Sequence, residues 1–218
     1  MKIVTIDKSL SELNIALGCL FYKADVVKTN SELWNHIENT TIPQIQEQYT
    51  LENLTEQINI KTSRQAYKNL GKEPSRYRVS SEALIRRILQ GKGLYKINSV
   101  VDTNNLISIE TGYSCGSYDL ANLQDDLTFR IGKTGESYKG IGKEEINIEN
   151  LPVFSDSIGA FSSPTSDSER AMITLDSKDI LTILISFDGI TGLADHIEKA
   201  RKYLEKFVGA TEIDVMTV

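Results

Sequence analysis

The order of the hydrophobic periodicities constrains this chain more than any other feature. Up to Gly112 the apolar residues recur mainly at helical spacing. From Leu127 onward they fall into short runs cut by Gly, Ser and Asp. Helices followed by strands, without regular alternation, argue against a doubly wound parallel sheet and predict an α+β domain with a strand-rich core and packed helices. The early part still offers two strands, over residues 2–6 and 16–27. Residues 31–49 read as helical through Leu33, Trp34 and Ile37, with Pro43 expected to separate two helices. A basic helix is expected over 61–70, ending at Gly71. The clearest helix is 81–90, where Leu84, Ile85, Ile88 and Leu89 form one stripe, Ser80 is a cap candidate and Gly91 a terminator. Another covers 100–109 and closes at Gly112. Strands follow at 127–131, 136–141, 153–154, 170–175 and 180–187, then an amphipathic helix over 192–207 and a strand over 212–218.

No repeat, low-complexity tract or linker divides the 218 residues, so a single domain over 1–218 is expected. With 40% hydrophobic and 25% charged residues, the composition excludes a mostly disordered chain. The longest apolar run, 180–187, is broken by Thr182 and Ser186 and falls well short of the ~20 residues a membrane helix needs. The first residues, MKIVTID, lack the apolar stretch of a secretory signal. A cytoplasmic protein without a membrane partner is the expectation. Cys19 and Cys115 stand alone, so neither a disulfide framework nor a zinc site is predicted.

Charge is unevenly placed. Residues 61–96 hold ten Lys or Arg and only Glu73 and Glu82, a net +8; with a chain total of −6, the remainder sums to −14. A cationic block in an anionic protein suggests a local anionic partner such as RNA, or else a solvated helical face. The candidate contacts are Arg64, Lys68, Lys72, Arg76, Arg78, Arg86, Arg87 and Lys92, with Tyr77 between two arginines as a stacking surface.

Several motifs carry no chemistry. Gly132-Lys133-Thr134 resembles the end of a phosphate-binding loop, but that loop needs Gly where Leu127 stands. Gly140-Ile141-Gly142 is followed by Glu144 and Glu145, the wrong charge beside a pyrophosphate. His36 and His196 fall in helices with no second ligand at helical spacing, so no metal or other cofactor is expected.

Two segments say more: Ser80 to Gly112, and Leu151 to Ile173. The first has paired basic residues at a helix end (Arg86-Arg87), a glycine turn (Gly91-Lys92-Gly93) and Ile97-Asn98. The run Val101-Asp102-Thr103-Asn104-Asn105 follows, and later Tyr118-Asp119. In order and spacing this resembles the B3/B4 domain of the phenylalanyl-tRNA synthetase beta subunit. The stretch from Arg64 to Arg78 is similar to the free-standing branch of that family. The resemblance is strongest over about residues 60–190.

The resemblance implies the fold of that domain and its activity, which is to hydrolyse tyrosine mischarged onto the phenylalanine tRNA. It makes tRNA or aminoacyl-tRNA the expected partner, with no DNA. Asn105 matches the family's pocket Asn, with Asn104 beside it. The family has a His where Gly116 stands and a Glu where Ile183 stands, so two polar pocket groups are absent. The loop Ser162 to Arg170 offers hydroxyls and an acid in their place. Asn105 and Asp167 are therefore the catalytic candidates, and Gly159, Ser163, Thr165 and Ser168 join Asn104 and Gly116 as pocket candidates. Three activities stay open: deacylation in trans, RNA binding without catalysis, and binding of an amino acid or other small molecule.

Overall fold

The computed structural model describes residues 2–218. Its strands are β1 (Val4–Ile6), β2 (Ala16–Lys23), β3 (Ser114–Asp119), β4 (Leu127–Ile131), β5 (Ser137–Lys139) and β6 (Glu145–Asn147). The series continues with β7 (Pro152–Ser155), β8 (Ala160–Ser163), β9 (Ser166–Asp167), β10 (Asp179–Ser186) and β11 (Thr211–Thr217). The helices are α1 (Ser31–His36), α2 (Ile42–Gln48), α3 (Ile58–Asn69), α4 (Ser80–Leu89), α5 (Ser99–Thr111) and α6 (Leu193–Tyr203). The mixed α+β class expected from the residue pattern is the class that forms.

Two sheets and a helical layer are stacked. One sheet is antiparallel in the order β11-β2-β10-β3, and the other is mixed, in the order β1-β4-β7-β8-β9. Side chains alternate across a strand. Leu181, Ile183 and Ile185 of β10 therefore meet Phe129, Phe154 and Phe161 of the mixed sheet. Ile180 and Leu184 point the other way, onto Val100 and Ile107 of α5 and Leu193 and Ile197 of α6. A strand buried on both faces reads as a continuous apolar run, and β10 does. The β5–β6 hairpin stands apart as a small third sheet.

Pro43 does not end a helix. Residues 31–48 follow one helical path, widened over Ile37–Thr41 into a π turn in which the Ile42 N–H bonds to the Ile37 carbonyl. The wider turn relieves the demand a proline ring cannot meet, an i→i−4 bond beside a crowded carbonyl. Ser80 does not cap α4 either: Val79 holds the cap position, and the Ser80 N–H bonds to the Pro164 carbonyl at 2.7 Å. The strand expected at 170–175 is a 3₁₀ turn, Glu169–Ala171, followed by irregular chain. Arg170 is responsible, because its guanidinium grips both oxygens of Asp156 (2.8 and 2.9 Å) and the Gly159 carbonyl, drawing the chain away from the sheet.

Candidate functional site

A cavity of about 50 Å³ opens where the edge strand β3 meets the β8–β9 hairpin and the first turn of α4. Gly116 and Tyr118 of β3, with Ile185 of β10, form its floor. Ser163, Pro164, Thr165, Ser166 and Asp167 form one wall, and Ser80 another; Cys115 completes the lining. Each element is tied in place. The hairpin is bound to α4 through Ser80 and Pro164, and to α3 through a 2.8 Å hydrogen bond between the Tyr67 and Thr165 hydroxyls. The Ser80 hydroxyl is enclosed with no hydrogen-bond partner among the described residues.

Asp167 is the acid of this cavity. The Ser162 hydroxyl donates to its Oδ1 at 2.6 Å, and that hydroxyl lies 2.6 Å from the phenolic oxygen of Tyr118. Burial raises the Asp167 carboxyl from an ordinary 3.8 to about 6, against the opposing pull of the Ser162 bond and the charge of Lys143. Burial also raises the Tyr118 phenol well above its usual range, and nearby Asp167 adds to this. The Cys115 thiol is pushed up to about 12 by burial, so it is a thiol and not a thiolate nucleophile at neutral pH.

Of the catalytic and pocket residues predicted from the sequence, the structure brings four together: Gly116, Ser163, Thr165 and Asp167. Asn104 and Asn105 are not with them. Both lie on α5, across the sheet from the cavity floor. The Asn104 amide donates to the Cys115 carbonyl at 3.2 Å and accepts from Ser117 at 3.1 Å. Ser117 continues to Thr182 (2.8 Å) and Thr182 to Tyr22 (3.0 Å), all on the helical side of the sheet. Asn104 is thus spent on holding α5 to β3. Asn105, half-buried and one helical step further round, does not line the cavity. Their neighbour Asp102 likewise holds the fold, accepting from the Trp34 indole and the Ile97 N–H. Gly159 sits at the opposite end of β8, in the turn gripped by Arg170. Ser168 is buried outside the lining.

Sequence reasoning missed Tyr118 and Ser80 as lining residues. One signal pointed to Tyr118. Gly116 and Ile183, the two positions where the resemblance expects polar pocket groups, are direct cross-strand partners. They share the face that Tyr118 covers. A wider, open depression of about 480 Å³ at the other end of the sheet gathers none of the predicted site residues. Its Lys23 and Glu212 pair with each other at 2.8 Å.

The basic block folds into α3, α4 and the turn between them. Three of its arginines converge on one carboxylate, that of Glu82, which is fully buried. Arg64 Nη1 lies 3.0 Å from each carboxylate oxygen, Arg86 Nε 2.8 Å from Oε1 and Arg78 Nε 3.8 Å from it. Three cations against one anion leave a local surplus of positive charge. The link to the cavity runs through α3, where Arg64 stands one turn before Tyr67, whose hydroxyl bonds to Thr165 of the cavity wall. Arg76 is exposed. Lys72 lies 5.0 Å over the ring of Tyr77, a residue half-buried against the core. Arg87 stacks at 4.2 Å on Tyr95 and donates to the Gly93 and Lys92 carbonyls, further from the cavity.

Fold and site together define an α+β domain in which α3 joins a hydroxyl-lined cavity holding one carboxyl to a cluster of arginines. This chain belongs to the B3/4 domain family, whose sequence model matches residues 62–215. It is 28% identical over 100 residues to the phenylalanine–tRNA ligase beta subunit of Chromobacterium violaceum, a match spanning 45% of this chain and 13% of that protein. The chain thus covers only a small part of that relative's length. A solved N-terminal fragment of the phenylalanyl-tRNA synthetase beta subunit from Pyrococcus horikoshii is also similar. That match has 13% identity and a TM-score of 0.48, and covers 99% of this chain and 54% of the fragment. Among the described residues, no helix is long and apolar enough to cross a membrane.

Proposed function

We propose that the whole chain acts as one B3/4 unit that holds the acceptor end of a tRNA and hydrolyses the ester of a mischarged aminoacyl-tRNA in trans. The observation that carries this reading is that one helix, α3, joins the Asp167 cavity to the Glu82 arginine cluster, with Tyr67 bonded to Thr165 and Arg64 paired with Glu82. Its membership of the B3/4 family, and a relative named for its role with phenylalanine tRNA, support the same choice of partner. Arg64, Arg76, Arg78 and Arg86 offer charge to phosphates while the cavity receives the aminoacyl group.

The chemistry follows from Asp167. A carboxyl titrating near 6 is mostly ionised at neutral pH, yet more basic than an ordinary aspartate. It takes a proton from a water in the cavity as that water's oxygen bonds to the ester carbonyl carbon. When the tetrahedral intermediate collapses, the bond from that carbon to the ribose oxygen breaks. The proton passes from Asp167 to the ribose oxygen, releasing free amino acid and tRNA. Ser162 and Tyr118 act as positioning residues by holding Oδ1 in one orientation.

The test is a deacylation panel of mischarged tRNAs with wild type and Asp167→Asn. Hydrolysis above the buffer rate, lost in the variant, is expected. Binding of tRNA with no hydrolysis of any ester would replace this reading with a non-catalytic RNA-binding module. Loss of binding as well would leave an amino-acid or small-molecule site.

A further inference from the structure

The size of the cavity also speaks to which aminoacyl group it takes. Resting on the reading above, we infer that the site accepts only small aminoacyl groups (glycyl, alanyl, seryl) and excludes aromatic ones. A water occupies about 10–15 Å³ of such volume, so 50 Å³ holds roughly four small heavy atoms. A glycyl group has four heavy atoms, an alanyl group five and a seryl group six, so only the smallest groups are of this order. A phenyl or phenol ring has no room.

The missing room is occupied by the protein's own tyrosine. Gly116 faces Ile183 across the strand pair, and Ile183 is fully buried in the core between the sheets. The ring of Tyr118 folds back over Gly116 so closely that even a β-carbon at position 116 would collide with its hydroxyl. Tyr118 does not swing aside freely. It is buried, bonded to Ser162 at 2.6 Å and packed edge-on to Phe161 at 5.2 Å, with Phe154 at 6.2 Å. The remaining space is lined by hydroxyls and a carboxyl beside apolar atoms of Pro164 and Ile185, and the unpartnered Ser80 hydroxyl in its wall calls for a ligand atom that hydrogen-bonds.

The experiment compares glycyl-, alanyl- and seryl-tRNA with phenylalanyl- and tyrosyl-tRNA as substrates of the intact chain. In parallel it measures binding of non-hydrolysable 3′-aminoacylamino-adenosines carrying the same side chains. The small esters should be cleaved at least about tenfold faster than the aromatic ones, because a pocket one group too small rejects strongly. Tyr118→Ala should narrow or reverse that ratio, and Tyr118→Phe, which keeps the ring, should preserve it. The wild-type panel decides the matter if Tyr118→Ala does not fold. Aromatic esters cleaved as fast as small ones would overturn the size inference and leave the hydrolase reading standing. Small analogues bound in preference, with no hydrolysis of any ester, would support the size inference and overturn the hydrolase reading. Failure of every ester and every analogue would overturn both.

Discussion

Replacing Asp167 by Asn separates the cost of the acid from its use. The ionised carboxylate is disfavoured by burial, which lifts its titration from 3.8 to about 6. At about 1.4 kcal/mol per pH unit, ionised Asp167 costs the folded state roughly 2–3 kcal/mol, as an upper bound because the residue is partly exposed. The sign follows from proton binding. Between about pH 4 and 6 the folded state holds more of this proton than the unfolded chain, so Asp167 lowers stability progressively as pH rises through that window. Asn still accepts the Ser162 hydrogen bond and carries no charge. Urea unfolding of both proteins at pH 4 and pH 8 isolates the effect, since other titrating groups cancel in the difference. The variant should match wild type within about 1 kcal/mol at pH 4 and exceed it by about 1–3 kcal/mol at pH 8. Its deacylation rate should fall to background, while wild-type activity should rise with pH through about 6 and then level off. A pH-independent stability difference, or a variant less stable at pH 8, would refute the claim that this carboxylate is held ionised against its surroundings.

Other residues give sharp expectations. Glu82→Gln leaves three arginines without their shared carboxylate and should cost about 2–4 kcal/mol by urea unfolding, below the full buried-pair value because the guanidiniums reach water. Arg170→Met strands the buried carboxylate of Asp156 and should cost about 2–4 kcal/mol at pH 7. Asp156 titrates below its ordinary range in the fold, so its stabilisation is present above about pH 4 and lost as pH falls through the folded value. The variant's penalty should therefore shrink at pH 3. Gly116→Ala should destabilise by about 1–3 kcal/mol through overpacking against Tyr118, and Tyr118→Leu in the same chain should relieve part of it. For exposed Arg76, change to Gln should leave stability unchanged and reduce the salt slope of tRNA binding by about one.

Much of the architecture was legible before folding. The stripe Leu84, Ile85, Ile88 and Leu89 marks α4, Gly112 ends α5 in a left-handed conformation, and β4 runs over the five residues its pattern marks out. These features depend on local backbone preference and on burial at a fixed period, which a sequence displays directly. The loop containing Ser163, Thr165 and Asp167 was also visible as a polar wall. What stayed hidden was the long-range pairing that bends Arg170 off the sheet and the π turn that lets a helix carry Pro43.

Composition and periodicity by themselves determined the class of fold, the helix that carries the basic residues and the hydroxyl-rich loop. Only the tertiary structure decided which of the singled-out residues meet. Asn104 and Gly116 stand twelve positions apart in one motif-bearing stretch, yet a sheet lies between the amide and the cavity floor. Asp167 and Ser80, far apart in the chain, line the same cavity. The reason is geometric: side chains alternate between the two faces of a strand, so which layer packs on which face, not distance along the chain, sets what a side chain touches.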